Sequence, residues 1–445
     1  MNDGYLKIES VSRAGGLKGE AELVGAKNAV LVTIASLLLT SGRSVLYNVP
    51  ILADVYEMIE LLRHVGAVIY FDTEKHQLTV DTTLVHSWTV GNVMMQKTRA
   101  SFLILGPLLA RFGKARIGFP GGDSIGKRPL DYHLKNFKKM GVMIHDENDF
   151  LCAEVDTLVA ARIILEYPSV GATENIIMAA TRAQGTTYII NAACEPEVFD
   201  LMSALQKMGA RITVVAPATI IIEGVDELHA IEHTIMFDRL EAGSLLMATA
   251  ITGGEIYLPQ AHRDHLDIVL LKLQEMGHEI TVGANGQGVH LKATQSPQAV
   301  SFKTGPFPGF PTDLQAPMMA LQCVAQGSSI IEETVFENRF HHVHELVKMG
   351  ALITIEHNKA MVTGVNNLYG TSVIASDIRA AMALVIAGLV AQGTTMVSGV
   401  HHWKRGYEQR VEKKLQCLGA AISLCEANDS NAPIFLNHAV IEKMN

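Results

Sequence analysis

A short pattern, hydrophobic–Gly–small, recurs six times along the 445-residue chain and limits its fold more than any other feature. The glycines are Gly66, Gly141, Gly209, Gly277, Gly350 and Gly419, set 75, 68, 68, 73 and 69 residues apart. A period near seventy residues means one supersecondary unit copied in tandem. Each pattern ends an amphipathic stretch, such as VYEMIELLRHVGA or VFDLMSALQKMGA. The glycine therefore reads as a left-handed helix cap with a strand to follow.

A second series keeps step with the first. Six helices rich in Ala, Leu and Met are predicted to begin near Asn28, Ala100, Ala172, Ala242, Leu314 and Ala380, at spacings of 72, 72, 70, 72 and 66. Each leads into a Gly-initiated strand, from GRSVLYNVP (42–50) to GTTMVSGV (393–400). An ordinary α/β chain would not hold two series in phase. One repeat is thus an apolar helix, a strand, an amphipathic helix, a strand and further strands. A helix that is apolar nearly all round must be buried on every side. Six units then suggest an α/β protein of two domains, three units each, with the apolar helices inside and the sheets outside. The expected first domain is 21–236, and the second is 1–20 with 237–425. The tail 426–445 lies beyond the last repeat.

Composition narrows the function. Hydrophobic residues make up 48% and charged residues 18%, enough for a large core. The net charge of −9 and the absence of any long Lys/Arg run argue against a nucleic-acid binder. The five cysteines, Cys152, Cys194, Cys323, Cys417 and Cys425, form no CxxC pair. Neither a disulfide framework nor a zinc ribbon is indicated, and a reducing cytoplasm is expected. MNDGYLKIES has no basic and apolar leader pattern. Apolar runs such as AVLVTIASLLL (29–39) are too short to cross a bilayer, so no membrane insertion is expected. His341, His342 and His344, and His401 and His402, lack zinc-site spacing with acidic partners, and no metal is expected there. No oligomeric state is indicated.

The residues that enter the apolar helices are Lys27–Asn28, Arg99, Ser169 to Thr173, Arg239 with Glu241, Thr312–Asp313 and Asp377 to Arg379. A helix start carries about half a positive charge and free N–H groups. Lys or Arg there calls for an anion. If the starts in each domain point at the other domain, they form an anion-binding cleft for a substrate with phosphate or carboxylate groups. Asp313 and Asp377, taken singly, read as N-caps. Lys127, Arg128, Arg339 and Arg405 add cations on strand-to-helix loops. The loop FPGGDSIGKRPLDYH (119–133) sets one carboxylate, Asp123, on a glycine-rich backbone just ahead of two of them.

Several motifs carry a resemblance to a known family. They are VGAKN (24–28), the PGG loop (120–133), SVGAT (169–173), FPTDLQ (310–315), TVFENRF (334–340), SDIRA (376–380) and RGYE (405–408). In this order they resemble the UDP-N-acetylglucosamine enolpyruvyl transferases, from about residue 7 to about 424. The resemblance implies an inside-out α/β barrel pair, shared with the shikimate-pathway enolpyruvyl transferase. It implies transfer of enolpyruvyl from phosphoenolpyruvate to the 3′-hydroxyl of UDP-N-acetylglucosamine in early peptidoglycan synthesis, with no cofactor. Lys27, Arg128, Arg339, Arg379 and Arg405 match the cations around phosphoenolpyruvate. Asn28 and Asp377 match polar partners near the reacting centre. Asp313 matches the carboxylate that binds and deprotonates the sugar hydroxyl. Arg99, the run Arg128, Pro129, Leu130, Asp131 and Tyr132, the run Ser169, Val170 and Gly171, and Val335 match the nucleotide-sugar contacts. Lys27, Asp123, Asp313 and Arg405 are the expected catalytic residues.

Two positions depart from the family pattern. Tyr167 stands where a basic residue is common, and Asp123 stands where a cysteine is usual. An aspartic acid can still donate a proton if its pKa, ordinarily about 3.9, is raised by desolvation and a nearby anion. Asp123 is therefore expected to be the general acid of a mobile lid, 119–130, hinged by Gly121, Gly122 and Gly126. Two alternatives are a transferase of the same fold with another acceptor, such as shikimate phosphate, and a non-catalytic nucleotide-sugar binder.

Overall fold

A computed structural model describes residues 4–11, 15–123, 125–126, 129–408 and 411–425. Lys127, Arg128 and the tail 426–445 lie outside the described residues. The chain separates into two compact halves. The first comprises Leu23–Arg239 and Gly305–Pro311; the second comprises the described residues of Met1–Glu22, Leu240–Thr304 and Thr312–Asn445.

All six repeat glycines adopt positive φ, from 92° at Gly141 to 111° at Gly66. The following N–H reaches back five residues each time, as in Ala67 to the Leu62 carbonyl at 3.0 Å and Ala420 to the Leu415 carbonyl at 2.8 Å. This is the Schellman closure, and a side chain at the glycine would strain it. One local solution thus ends all six amphipathic helices.

The apolar helices are inside, as their composition requires. Ile378–Gly388 and Gln315–Gln322 are buried along their whole lengths. Lys27–Ser36 is buried except at Asn28. Leu105–Phe112 packs on Val170–Ala180 in the first half, and Gln315–Gln322 packs on Ile378–Gly388 in the second. Each fully buried Leu or Ile in these helices contributes about 1.5–3 kcal/mol.

Each half has three four-stranded sheets. Every repeat passes a short strand to the next, where it forms a parallel edge. Thr89–Val90 lies beside Lys114–Gly118, Arg162–Ile164 beside Thr186–Ile190, and Glu232–Thr234 beside Arg43–Tyr47. The last pairing returns the third repeat to the first and closes the ring. In the second half the N-terminal segment does this work. Lys18–Glu20 is the edge beside Glu255–His262, and Tyr5–Glu9 lies between Thr394–Ser398 and Ala421–Cys425. No helix among the described residues is long and apolar enough to cross a membrane.

Candidate active site

In the second half three predicted residues meet at one carboxylate. Asp313 Oδ1 accepts a hydrogen bond from Arg339 Nη2 at 2.6 Å, and Oδ2 accepts one from Arg379 Nη2 at 2.9 Å. The two arginine side chains are 6% and 5% exposed and that of Asp313 is 25% exposed. Burial pushes the Asp313 carboxyl up, but the Arg379 and Arg339 guanidiniums outweigh it and hold the group well below the usual carboxylate range. Asp313 is therefore ionised at neutral pH. An anionic ligand would compete with it for the same two guanidiniums.

Asp377 is the N-cap of Ile378–Gly388 and accepts from the N–H groups of Arg379 and Ala380 at 2.9 and 3.1 Å. Ser376 donates to its other oxygen at 2.9 Å. Burial works to raise Asp377, yet the Ala380 N–H and the Arg339 charge keep it below the usual range. The N-cap reading of this residue holds. Its neighbour His342 is buried, pushed down to about 4 mainly by that burial, and stays neutral. Arg405 is half-buried in the helix Val400–Gly406. The next turn presents Tyr407, whose ring lies 5.4 Å from the Arg379 guanidinium.

Glu333 organises the Val335 loop and was not singled out from sequence. Its Oε1 accepts from the Val335 N–H and the Thr304 hydroxyl, each at 2.8 Å. Its Oε2 accepts from the Thr312 hydroxyl at 2.8 Å, and Thr312 in turn accepts from Arg339 at 3.1 Å. One buried carboxylate thus fixes the loop and the arginine together. Its position directly before TVFENRF was the available signal.

In the first half Lys27 begins its helix with its ammonium 2.7 Å from Asp54, the two side chains being 9% and 3% exposed. Arg239 makes a forked pair with Glu197 at 2.9 and 3.1 Å. Glu241, in the second half, pairs with Lys414 at 2.8 Å. The cations at the helix starts already face anions within the protein. Lys27, Arg239 and Arg379 each have a protein carboxylate, as does the loop residue Arg339, because burying an unpaired charge costs several kcal/mol. Asp54 and Glu197 look in sequence like ordinary first-turn acids of amphipathic helices.

Two of the nucleotide-sugar candidates of the first half, Arg99 and Gly171, lie near His133. His133 is buried on the helix Asp131–Lys139, edge-on to Phe102, and Nδ1 faces Asn175 Nδ2 at 3.3 Å. Asn175 Oδ1 accepts from the Gly106 N–H at 2.7 Å, so its amide nitrogen faces the histidine and Nδ1 is the acceptor. Burial, helped by Arg99, pushes His133 down to about 3 and keeps it neutral. A Cβ placed on Gly171 would stand 3.6 Å from His133 Nε2. Arg99, the helix carrying Asp131 and Tyr132, and the Ser169–Val170–Gly171 turn are thereby grouped. Ser169 caps Val170–Ala180. Pro129 and Asp131 are exposed, and Leu130 and Tyr132 are half-buried. Tyr167 is half-buried, and its carbonyl accepts from the Ser169 N–H at 2.8 Å. Arg128 lies outside the described residues.

The loop that carries Asp123 is tied at its base. The Phe119 N–H donates to Asn92 Oδ1 at 3.0 Å, and the Gly121 N–H to the Met95 carbonyl at 3.2 Å. A Cβ on Gly121 would stand 1.8 Å from the Gln96 carbonyl oxygen. Gly121 is therefore an anchor demanded by close approach and not a hinge. Gly122 and Gly126, at φ 123° and 146°, hold the conformations that favour glycine. Asp123 itself is half-exposed.

Comparison with known proteins places these features. Residues 11–414 match the family described as EPSP synthase (3-phosphoshikimate 1-carboxyvinyltransferase). A protein of Caldanaerobacter subterraneus subsp. tengcongensis named UDP-N-acetylglucosamine 1-carboxyvinyltransferase 1 is 47% identical over 412 residues, 93% of this chain and 98% of that relative. The crystal structure of the enolpyruvyl transferase NikO from Streptomyces tendae is similar with a TM-score of 0.84 at 24% identity, covering 96% of this chain and 100% of the other. An EPSP synthase structure from Acinetobacter baumannii gives 0.73 at 17% identity, covering 94% and 100%. These two likenesses identify the fold as the inside-out α/β barrel with two domains.

Proposed function

The chain belongs to the EPSP synthase (3-phosphoshikimate 1-carboxyvinyltransferase) family of enolpyruvyl transferases, and on that premise we propose that it transfers enolpyruvyl from phosphoenolpyruvate to the 3′-hydroxyl of UDP-N-acetylglucosamine, releasing phosphate. The observation that carries this reading is the 47% identity, along nearly the whole of both chains, to a relative named for that reaction. The product enters peptidoglycan synthesis, so the protein serves cell-wall biogenesis, cell shape and division from the cytoplasm.

The reaction needs a proton on the methylene carbon of phosphoenolpyruvate, a proton removed from the sugar hydroxyl, and cations for phosphate and carboxylate. Asp123 donates the first proton. Asp313 takes the hydroxyl proton. Held between Arg339 and Arg379 it is a weak base. Phosphoenolpyruvate draws those guanidiniums onto its own anionic groups, and Asp313 becomes more basic when the base is needed. Lys27 and Arg405 complete the charge on the reacting group, with Asn28 and Asp377 beside it. Addition gives a tetrahedral intermediate in which the former methylene is a methyl group, and loss of phosphate together with one methyl proton gives the enol ether. Arg99, Arg128, Pro129, Leu130, Asp131, Tyr132, Ser169, Val170, Gly171 and Val335 hold the nucleotide sugar.

Phosphate release from phosphoenolpyruvate, measured with UDP-N-acetylglucosamine and separately with shikimate 3-phosphate, tests the assignment. Release is expected with the nucleotide sugar alone. Release with shikimate 3-phosphate instead, or with neither acceptor, would overturn it.

A further inference from the structure

The hairpin of Met143–Glu147 and Phe150–Glu154 carries a group of side chains that the reaction does not use. His145 is paired with Cys152 across the two strands, and Glu147 lies two residues from His145, so all three project from one face of the sheet. One imidazole nitrogen, the Cys152 Sγ and one Glu147 oxygen all lie within 4.8 Å of one another. Cys152 Sγ is already 3.7 Å from Glu147 Oε2. A tetrahedral zinc ion with ligands at about 2.0–2.3 Å sets its donors roughly 3.5 Å apart, so small rotamer changes close the set.

We propose that His145, Glu147 and Cys152 form a site for a zinc-class divalent cation, exposed at His145 and Glu147 and floored by the buried Cys152, with water as the fourth ligand. Imidazole with thiolate selects such a metal over magnesium or calcium, which prefer oxygen donors. The frame is stiff, because the strands join through two residues, Asn148 and Asp149, at φ 48° and 63°. Asn92 holds that turn through the Asp149 carbonyl at 3.2 Å. Binding releases the Cys152 proton and leaves one thiolate and one carboxylate on the ion. Arg116, opposite Cys152 on the next strand and stacked 3.6 Å from the Phe150 ring centre, opposes the cation.

Titration of the full chain with Co²⁺ under anaerobic conditions tests this through the near-ultraviolet thiolate-to-cobalt absorption. One equivalent is expected to give the band, and Zn²⁺ is expected to abolish it and to protect Cys152 from iodoacetamide by peptide mass analysis. Cys152→Ser should lose the band. Loss of an outer-shell partner alone costs about 10- to 100-fold in affinity, so His145→Ala and Glu147→Gln should each lose at least about tenfold. Arg116→Gln should bind more tightly. No band in the wild type, an unchanged band in Cys152→Ser, or unchanged affinity in His145→Ala would overturn the site.

Discussion

Asp313 and Arg379 are joined by a 2.9 Å ion pair that ties the helix starts of the fifth and sixth repeats together. With Arg339 at 2.6 Å on its other oxygen, Asp313 has both oxygens committed to cations. The carboxylate the mechanism needs as a base is thus restrained by the groups that the mechanism needs for substrate anions. In the proposed mechanism substrate binding relieves that restraint. Asp313→Asn should lower kcat for phosphate release by about 10²- to 10⁴-fold, the usual range for a lost general base. A fall of less than tenfold would remove Asp313 from the chemistry.

Lys27 and Asp54 make the equivalent pair in the first half. Removing one partner of a buried pair costs about 3–5 kcal/mol. Asp54→Asn should lose stability of that order in urea unfolding. Inorganic phosphate should recover more of it in the variant than it adds to the wild type, since an anion can replace the missing carboxylate. Equal stabilisation of the two proteins by phosphate would contradict an anion site at Lys27.

Glu174 gives a pH-dependent prediction. Burial, and then Glu197 and Glu195, raise its carboxyl well above the usual range. The folded state therefore holds this proton where the unfolded chain has released it. Stability from this group is complete below the unfolded pKa of about 4.3 and declines as pH rises toward the folded value. Glu174→Gln keeps the neutral shape. Its Tm should exceed that of the wild type at pH 8, with the difference shrinking toward pH 4. A difference independent of pH would show that Glu174 does not titrate this way.

How far the sequence reaches is visible at particular residues. Gly66 and its five counterparts were legible because a left-handed cap is a local demand that few residues other than glycine meet. Ile378–Gly388 was legible because a helix apolar on every face has one place to go. Asp54, Glu197 and Glu333 were not, since each acquires its role from a partner between 21 and 42 residues away or across several loops. The edge strands Lys18–Glu20 and Glu232–Thr234 were hidden for a different reason. Three residues carry no periodicity, and their pairing is set by closure of the sheet ring. Gly121 looked like a hinge because glycine permits motion, whereas its neighbour, the Gln96 carbonyl, leaves room for nothing else.

A carboxylate at residue 123 also predicts a drug response. Fosfomycin inactivates thiol-bearing members of the resembled family by opening its epoxide on the lid cysteine. A carboxylate is a much weaker nucleophile than a thiolate. The wild-type protein should keep its activity through prolonged exposure, and Asp123→Cys should lose it progressively with a mass adduct on residue 123. Time-dependent inactivation of the wild type with an adduct on Asp123 would contradict this.

Asp123 is proposed to supply the proton to phosphoenolpyruvate. Turnover of Asp123→Asn with saturating phosphoenolpyruvate and UDP-N-acetylglucosamine measures it most directly. Asparagine keeps the size and polarity of the side chain but cannot give up a proton. A loss in kcat of about 10²- to 10⁴-fold is expected. Turnover of Asp123→Asn at the wild-type rate would contradict it.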